Sequence, residues 1–346
     1  MPHITVTIPV FNRSQLIGQT IESVLNQEFQ DFDLLVVDDA SSDDTIEIVR
    51  QYSERDPRIQ FVVNPKNLGL TRNWNRCLDL AQGPLVQLLL SDDLIDPNYL
   101  GLVSNFFEKR PETGFVASKC RYVGPNGELI DPGRSEASRL YSAGDEAITA
   151  LLLGGFPHVS SIVMRRECYE KLGKFNEHIW HGPDVEMDAR IASVYDFYLF
   201  GDIHTSFRRH GSNMGCLEYL RNDFLEVDML KKRLAWSYLS PDGFRAMGIT
   251  NLEEFLAQNV AQAALTGATI TVGYGRPDLS RYYLRKGIRL DSQLWRRRQF
   301  WKVLILLFVP FAGTLFMRHR MGVTDLDYRA AKAVETSLKS IATGKA

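Results

Sequence analysis

The segment LVQLLLSDD (85–93) decides the fold, because an almost continuous apolar run ends abruptly in two adjacent carboxylates, Asp92 and Asp93. A run that is apolar on both faces predicts a strand buried inside a parallel sheet. Adjacent carboxylates at the end of such a strand repel each other unless a cation or hydrogen bonds offset the repulsion. Two interpretations are open here: a divalent ion shared with a diphosphate, and a solvated turn in which an aspartate caps the next helix.

Three more strand patterns precede this segment and alternate with helical patterns. The strands are predicted at Ile4–Val10, Leu34–Val37 and Ile59–Val63. After the first of them, Ser14 is a candidate N-cap for a helix whose apolar residues recur at helical spacing. This alternation predicts an α/β fold with a Rossmann-like, mainly parallel sheet and helices on both faces. Ligands bind at the carboxyl ends of such strands, where the pair Asp38–Asp39 also lies.

The pattern changes along the rest of the chain. Strands are predicted at Phe115–Val123 and Ser160–Met164, and a polar loop at 208–213. Beyond that loop the sequence turns into long helical patterns rich in Arg and Lys. We therefore predict a boundary near 215, with an α/β domain at 1–215 and a helical C-terminal region at 216–346.

The composition excludes some classes of protein. The 346 residues include 40 Lys and Arg against 42 Asp and Glu, for a formal net charge of −2. No nucleic acid is therefore expected as a partner, and any electrostatic site must be local. The four cysteines form no CxxC pair, and the N-terminal residues read as a strand rather than a secretory signal. These features favour free thiols and a reducing cytoplasm.

Six segments, taken in order, resemble the inverting family 2 glycosyltransferases of bacterial type, which have the GT-A fold. The resemblance covers about 1–215. The segments are VTIPVFNR (6–13), LLVVDDASSDDT (34–45), NPKNLGLTRNWN (64–75), QLLLSDDLIDP (87–97), VMRRECYEKLGKFNE (163–177) with HGPDVEMDARIA (181–192), and RRHGSN (208–213).

The resemblance implies a role for each matching residue. A nucleotide-sugar donor, with UDP as the commonest nucleotide, is expected to contact Pro9, Phe11, Asn12, Asp38, Asp39, Arg72 and Asp92. The divalent cofactor, Mn²⁺ or Mg²⁺, is expected on Asp93 as the first choice of direct ligand, with Asp92 and His210. Asp184, at the start of a helix, is expected to be the general base that deprotonates the acceptor hydroxyl for a single, inverting displacement.

The sequence departs from the family pattern at two places. Many members carry a further Asp where this chain has Leu90, so the identity of the carboxylate that touches the metal stays open. The base motif is commonly Glu-Asp but is Pro-Asp here, so Glu186 and Asp188 compete with Asp184. A binding module that kept the fold and lost catalysis is therefore the alternative function. A nucleotidyltransferase is disfavoured, because the first strand ends in 9–13 (PVFNR) rather than in a Gly-rich basic loop.

Acceptor contacts are predicted around the base. Trp180 and His181 precede Asp184, and an aromatic ring there is suited to stacking on a sugar face. His158 precedes a predicted strand and is a further candidate for acceptor contact, with a structural role as the equal alternative. The acceptor itself is expected to be a glycan or a lipid-linked sugar, in the synthesis of a cell-surface polysaccharide or glycolipid.

An apolar run, Val303–Met317, stands apart from the rest of the chain. It has 15 residues, whereas a spanning helix needs about 20. Basic residues flank the run on both sides, and Trp295 and Trp301 lie at one end, which favours contact of 295–320 with an anionic membrane surface. A buried helix, a homodimer contact and a true span are the alternatives. We therefore expect a cytoplasmic protein, peripheral at the inner face of the plasma membrane.

Overall fold

The computed structural model describes residues 4–154, 156–210, 218–221 and 223–308. The chain divides into two compact units. The first comprises Met1–Arg208 and Leu234–Phe244, and the second comprises the remaining residues. The boundary that the sequence predicts near 215 lies outside the described residues.

The first part of the sheet is parallel, as the apolar runs predict. Its strands are β1 (Ile4–Val10), β2 (Phe32–Asp38), β3 (Ile59–Val63) and β4 (Leu85–Leu88), in the order β3-β2-β1-β4. In β2, Leu34 and Val36 join one buried apolar cluster while Leu35 and Val37 join another. Successive side chains of a strand point to opposite faces, so β2 is buried on both faces of the sheet. The helices between these strands are α1 (Ile17–Leu25), α2 (Thr45–Arg55) and α3 (Leu70–Leu80).

The sheet continues beyond β4 with mixed strand directions. The order is β4-β9-β6-β10-β5, with β7 paired to β6 and β8 paired to β10. The β9 strand is antiparallel to both β4 and β6, whereas β6 and β10 are parallel. These strands are β5 (Leu94–Ile95), β6 (Thr113–Val123), β7 (Leu129–Asp131), β8 (Arg139–Tyr141), β9 (Val163–Arg165) and β10 (Asp196–Arg208). Their helices are α4 (Tyr99–Lys109), α5 (Asp145–Gly154), α6 (Arg166–Leu172) and α7 (Pro183–Ala192).

The helical C-terminal region is present as predicted. The sequence after β10 forms α8 (Phe224–Ser237), α9 (Pro241–Ala246), α10 (Leu252–Gly273), α11 (Pro277–Leu290) and α12 (Arg298–Phe308). Within the described part of the chain, no helix is both long and apolar enough to cross a membrane. Residues 309–317 of the apolar run lie outside the described residues.

Three local predictions were wrong. Ser14 does not cap α1, because the helix begins at Ile17 and the N-cap position is Leu16. The predicted strand Ser160–Met164 is split into a 3₁₀ turn at Val159–Ser161 and β9, since the turn aims Ser160 Oγ at Asp93. Arg208 is not in a loop but ends β10, where buried acceptors satisfy its guanidinium.

Candidate active site

The turn after β4 holds Asp93 deep inside the first unit. Its side chain is fully buried, and Oδ1 accepts from the Arg208 backbone N–H at 3.0 Å. The second oxygen, Oδ2, accepts from Ser160 Oγ at 2.5 Å and lies 3.5 Å from His158 Nδ1. Burial raises the pKa of Asp93 well above its ordinary value, and the charge of Asp92 raises it further. Both oxygens of this carboxylate therefore already take part in internal contacts.

Asp92 lies closer to solvent than its neighbour. Its side chain is 10% exposed, against 0% for the side chain of Asp93. Its Oδ2 lies 3.6 Å from Nε of Arg13, which follows β1. The acidic turn thus holds one fully buried carboxylate and one that is slightly exposed, next to a cation.

Arg208 holds the backbone of the acidic turn through a hydrogen bond. Its side chain is fully buried, and Nε donates to the Asp92 carbonyl at 2.9 Å. The rest of the guanidinium donates to the carbonyls of Gly124 and Pro125, at 3.3 and 2.8 Å, and to Gln19 Oε1 at 2.8 Å. A planar guanidinium with five fixed donors suits this task. The residue therefore joins the acidic turn to the β6–β7 hairpin and to α1.

The pair after β2 organises the neighbouring loops. Asp39 Oδ1 accepts from Asn64 Nδ2 and the Leu68 N–H, and its Oδ2 accepts from the Gly69 N–H. Gly69 has φ +85°, a conformation in which a side chain would be strained. Asp38 is also buried, and its Oδ1 accepts from the Ser41 N–H at 2.7 Å. Among the described residues, Asp38 Oδ2 has no hydrogen-bond partner.

The residues after β1 are tied to the same loops. Asn12 has a left-handed φ of 50°, and its Oδ1 accepts from the Ser42 N–H at 2.8 Å. Phe11 is 43% exposed, whereas Pro9 is buried within β1 opposite Val37. This arrangement places the three residues predicted for the nucleotide at the carboxyl end of β1, next to the end of β2.

Arg72 lies near the N-terminus of α3, and its Nε donates to Glu177 Oε2 at 2.9 Å. Its side chain is 64% exposed. The same helix holds the loop before α7, because Thr71 Oγ1 donates to the Ile179 carbonyl at 3.0 Å. Trp180 and His181 follow in that loop, half-buried, with ring centroids 6.1 Å apart.

The three carboxylates at the start of α7 have different environments. Asp184 is half-buried in the first turn of the helix. Glu186 is buried in an ion pair with Arg190, in which Oε1 lies 2.9 Å from Nε, and it also accepts from the Tyr238 hydroxyl at 2.7 Å. Asp188 is 2% exposed, and burial, followed by the charges of Asp184 and Glu186, raises its pKa well above its ordinary value. The pairing of Glu186 and the burial of Asp188 leave Asp184 as the accessible carboxylate of the three.

Asp188→Asn is expected to stabilise the protein at pH 8 but not at pH 4. An unfolded Asp titrates near pH 4. The pKa of Asp188 is raised in the folded state, so the folded state keeps this proton to higher pH than the unfolded chain does. The contribution of Asp188 to stability is therefore present at low pH and lost as the pH rises towards its folded pKa. Thermal unfolding of both proteins between pH 4 and 8 should show a growing advantage in Tm for the variant, and a constant difference would contradict this account.

His158 lies next to Asp93. Burial lowers its pKa, and the charges of Asp184 and Asp92 oppose that effect. Its ring also packs on Phe207 of β10, at a centroid distance of 4.4 Å. Of the predicted acidic residues, Asp93 contacts this imidazole, with Oδ2 3.5 Å from Nδ1. His210, by contrast, belongs to the second unit, and its predicted contact with the metal stays a prediction.

A divalent metal fits this set of oxygens only if the substrate completes the coordination. Within the described ranges, no group of three or more His, Cys, Asp or Glu side chains is arranged to hold a metal ion. Mn²⁺ and Mg²⁺ at nucleotide sites commonly take one or two protein carboxylates and fill the other positions with phosphate oxygens and water. Asp92 offers such a carboxylate at the surface of the turn, so the donor set fits a metal that is shared with a diphosphate.

Sequence reasoning missed three residues of this site. Arg13 lies inside the VFNR segment, Arg208 begins the RRHGSN segment, and Ser160 follows His158. The sequence signal for Arg208 was its position at the end of the alternating residues that form β10. The serine carried no signal, because only the fold brings it to Asp93.

Comparisons with known proteins concern the family and the fold. Residues 5–173 match the model of Glycosyl transferase family 2. A chondroitin synthase of Escherichia coli is 28% identical over 213 residues, which are 62% of this chain and 30% of that protein. The chain spans 24% and 25% of the length of two further curated relatives.

Two solved structures share the fold. S. aureus TarS 1–349 in complex with UDP-GlcNAc has a TM-score of 0.57 at 18% identity, covering 85% of this chain and 90% of that one. Mannosyltransferase PcManGT from Pyrobaculum calidifontis, in complex with GDP-Man and Mn²⁺, has a TM-score of 0.57 at 19% identity, covering 96% and 86%. At these identities the likeness concerns the fold, which is GT-A. Residues 5–173 thus match glycosyl transferase family 2, within a unit that has the GT-A fold.

Proposed function

We propose that the chain transfers a sugar from a nucleotide-sugar donor to a glycan hydroxyl, with inversion at the anomeric carbon. One observation carries the proposal. The acidic turn after β4 holds the carboxylate of Asp92 next to the guanidinium of Arg13, with Oδ2 and Nε 3.6 Å apart, at the carboxyl edge of the parallel strands. A carboxylate and a cation at this edge suit a metal-bound diphosphate. The match of residues 5–173 to a glycosyltransferase family supports a nucleotide sugar as the source of that diphosphate.

We assign metal binding to Asp92 rather than to Asp93, which the family resemblance had favoured. Asp93 is fully buried and both of its oxygens accept hydrogen bonds, whereas Asp92 is partly accessible. A bound divalent ion would neutralise the charge that develops on the leaving diphosphate. Asp93 would act indirectly, by holding the turn to Ser160 and to the end of β10.

Arg13 would contribute a second positive charge at the diphosphate. Its Nε lies 3.6 Å from Asp92 Oδ2, and its side chain is 20% exposed. Its backbone N–H donates to Thr45 Oγ1 at 2.8 Å, which fixes where the side chain starts. A guanidinium in this place can pair with phosphate oxygens once a donor is bound.

Asp184 would accept the proton of the acceptor hydroxyl. A general base must come within about 3 Å of that oxygen, directly or through one water. Glu186 is held by Arg190 and Tyr238, and Asp188 is buried with a raised pKa, so neither is suited to that role. A single displacement needs no covalent intermediate on the protein, and the product would have inverted configuration.

The donor and acceptor are proposed from the relatives. TarS was solved with UDP-GlcNAc and PcManGT with GDP-Man. The similar curated protein of Escherichia coli is a chondroitin synthase. We propose a UDP-sugar as donor and a growing polysaccharide or glycolipid as acceptor, with Trp180 and His181 on the acceptor side and Pro9, Phe11 and Asn12 on the nucleotide side.

A thermal-shift series tests the proposal most directly. A donor present at a hundredfold excess over its Kd stabilises the folded state by about 2.7 kcal/mol, which is roughly 5 to 10 °C in Tm. We expect that shift with UDP-sugars plus Mn²⁺, and a much smaller one with either component alone or with ATP plus Mn²⁺. Slow hydrolysis of the same donor should accompany it. Binding without any turnover would indicate a sugar-nucleotide-binding module instead.

A further inference from the structure

The second unit carries a strongly basic stretch within a chain that is nearly neutral. Residues 276–302 contain nine Lys or Arg and only two acidic residues, Asp278 and Asp291, whereas the whole chain has a formal net charge of −2. Each acid pairs with an arginine of the same stretch, since Asp278 binds Arg276 at 2.7 Å and Asp291 lies 3.9 Å from Arg297. The remaining positive charge has no acidic counterpart within these residues.

Much of this charge lies on an exposed helix face. Arg281, Arg285 and Arg289 recur every four residues along α11 and are all exposed. Ile288, between the last two, is 41% exposed. Residues four apart lie on the same side of a helix, so α11 presents a basic stripe to solvent.

The following helix combines exposed basic and apolar side chains. On α12, Arg298, Trp301, Lys302 and Ile305 stand at positions i, i+3, i+4 and i+7 and are all exposed. Trp301 is 50% exposed and Ile305 is 62% exposed. One face of α12 therefore presents large apolar side chains between two cations.

The opposite face of α12 is anchored inside the unit. Phe300 and Val303 are buried, and Gln299 Nε2 donates to Thr269 Oγ1 of α10 at 3.1 Å. The turn before the helix adds Trp295, which is 49% exposed with the Arg296 guanidinium 5.5 Å from its ring centroid. The exposed aromatics are thus held outward by a fixed scaffold.

We propose that this basic–aromatic face, defined as Trp295, Arg296, Arg298, Trp301, Lys302 and Ile305, docks on an anionic lipid bilayer. Tryptophan favours the headgroup level of a membrane, and each basic side chain near an anionic leaflet strengthens binding. Exposed tryptophans and an isoleucine near Arg296, Arg298 and Lys302 fit a membrane whose surface is negative and whose interior is apolar. The inference goes beyond the proposed transferase activity and is independent of it.

Vesicle co-sedimentation of the full chain tests the proposal. We expect binding to phosphatidylcholine vesicles that contain 30% phosphatidylglycerol, weakened by salt, and little binding to pure phosphatidylcholine. The double variant Arg296→Glu/Arg298→Glu should bind the anionic vesicles at least about tenfold more weakly. The variant Trp295→Ala/Trp301→Ala should also bind more weakly, with an unchanged Tm.

A control variant with the same charge change separates this face from overall charge. Arg50 and Lys109 are exposed on α2 and α4 of the first unit, so Arg50→Glu/Lys109→Glu should bind vesicles like the wild type. Equal effects of the two charge-reversal pairs would overturn the proposal, as would equal binding to neutral and anionic vesicles. A dimer that dissociates on Trp295→Ala/Trp301→Ala, without vesicle binding, would assign the face to a second copy instead. The donor-induced shift in Tm should be unchanged in every one of these variants. Absence of that shift in the wild type would contradict the proposed function and would not affect the membrane proposal.

Discussion

Asp184→Asn is expected to lower kcat for sugar transfer by about a thousandfold while leaving donor binding intact. The amide has nearly the same shape as the carboxylate but cannot accept the acceptor proton. The half-buried position of Asp184 in the first turn of α7 gives the side chain no core-packing role that the amide would lose. Initial-rate kinetics with a saturating UDP-sugar, together with the donor-induced shift in Tm, would measure both quantities.

Two neighbours on the same helix supply the controls. Asp188→Asn replaces a buried carboxyl whose raised pKa already favours the neutral form, so activity should stay near that of the wild type. Glu186→Gln weakens the pairing with Arg190 and Tyr238 and should lower Tm more than kcat. A fully active Asp184→Asn variant would contradict the assignment of Asp184 as the general base. An inactive Asp188→Asn variant of normal Tm would contradict it as well.

Asp92→Asn is expected to lower the apparent affinity for Mn²⁺ by about a hundredfold, or about 2.7 kcal/mol, because the number of charged oxygen ligands sets the affinity for a hard cation. Tm without ligand should change less than for Asp93→Asn, since the Asp92 side chain is 10% exposed and lies 3.6 Å from Arg13 Nε, whereas that of Asp93 is fully buried. Titration of Mn²⁺ against the rate at a fixed donor concentration gives this affinity directly.

Asp93→Asn provides the contrast. Its buried oxygens accept from Ser160 Oγ and from the Arg208 N–H, so the amide would leave one donor poorly matched. An unsatisfied buried group costs about 1–3 kcal/mol. We therefore expect a lower Tm and a smaller change in metal affinity than for Asp92→Asn. The reverse pattern would restore Asp93 as the direct ligand.

The sequence predicted the parallel half of the sheet because that half is encoded locally. The run at β2 is apolar on both faces, those at β1 and β4 are mainly apolar, and the segments between them have helical spacing. The acidic residues could be placed at the strand ends for the same reason. The fold class and the family are confirmed by the structure and by the comparisons.

The remaining features depend on residues that are distant in sequence. The strand β10 runs from Asp196 to Arg208, and its residues pair with residues of β6 that lie 82 to 85 positions earlier, so no local pattern predicts the register. The difference between Asp92 and Asp93 likewise depends on Ser160 and on the end of β10, which only the folded chain brings to the turn. Spacing therefore located the acidic pair but could not divide the roles between its two members.

The buried guanidinium of Arg208 has a consequence for altering specificity. One side chain is bonded to the Asp92 carbonyl, to the hairpin carbonyls of Gly124 and Pro125, and to Gln19 of α1. A loop graft at 124–128 would displace the two hairpin carbonyls that accept hydrogen bonds from Arg208. Because the same guanidinium holds the Asp92 carbonyl, the acidic turn would shift as well. Directed evolution of that hairpin is therefore constrained by the acidic turn, and libraries that keep the backbone of Gly124 and Pro125 should retain far more active clones than libraries that change its length.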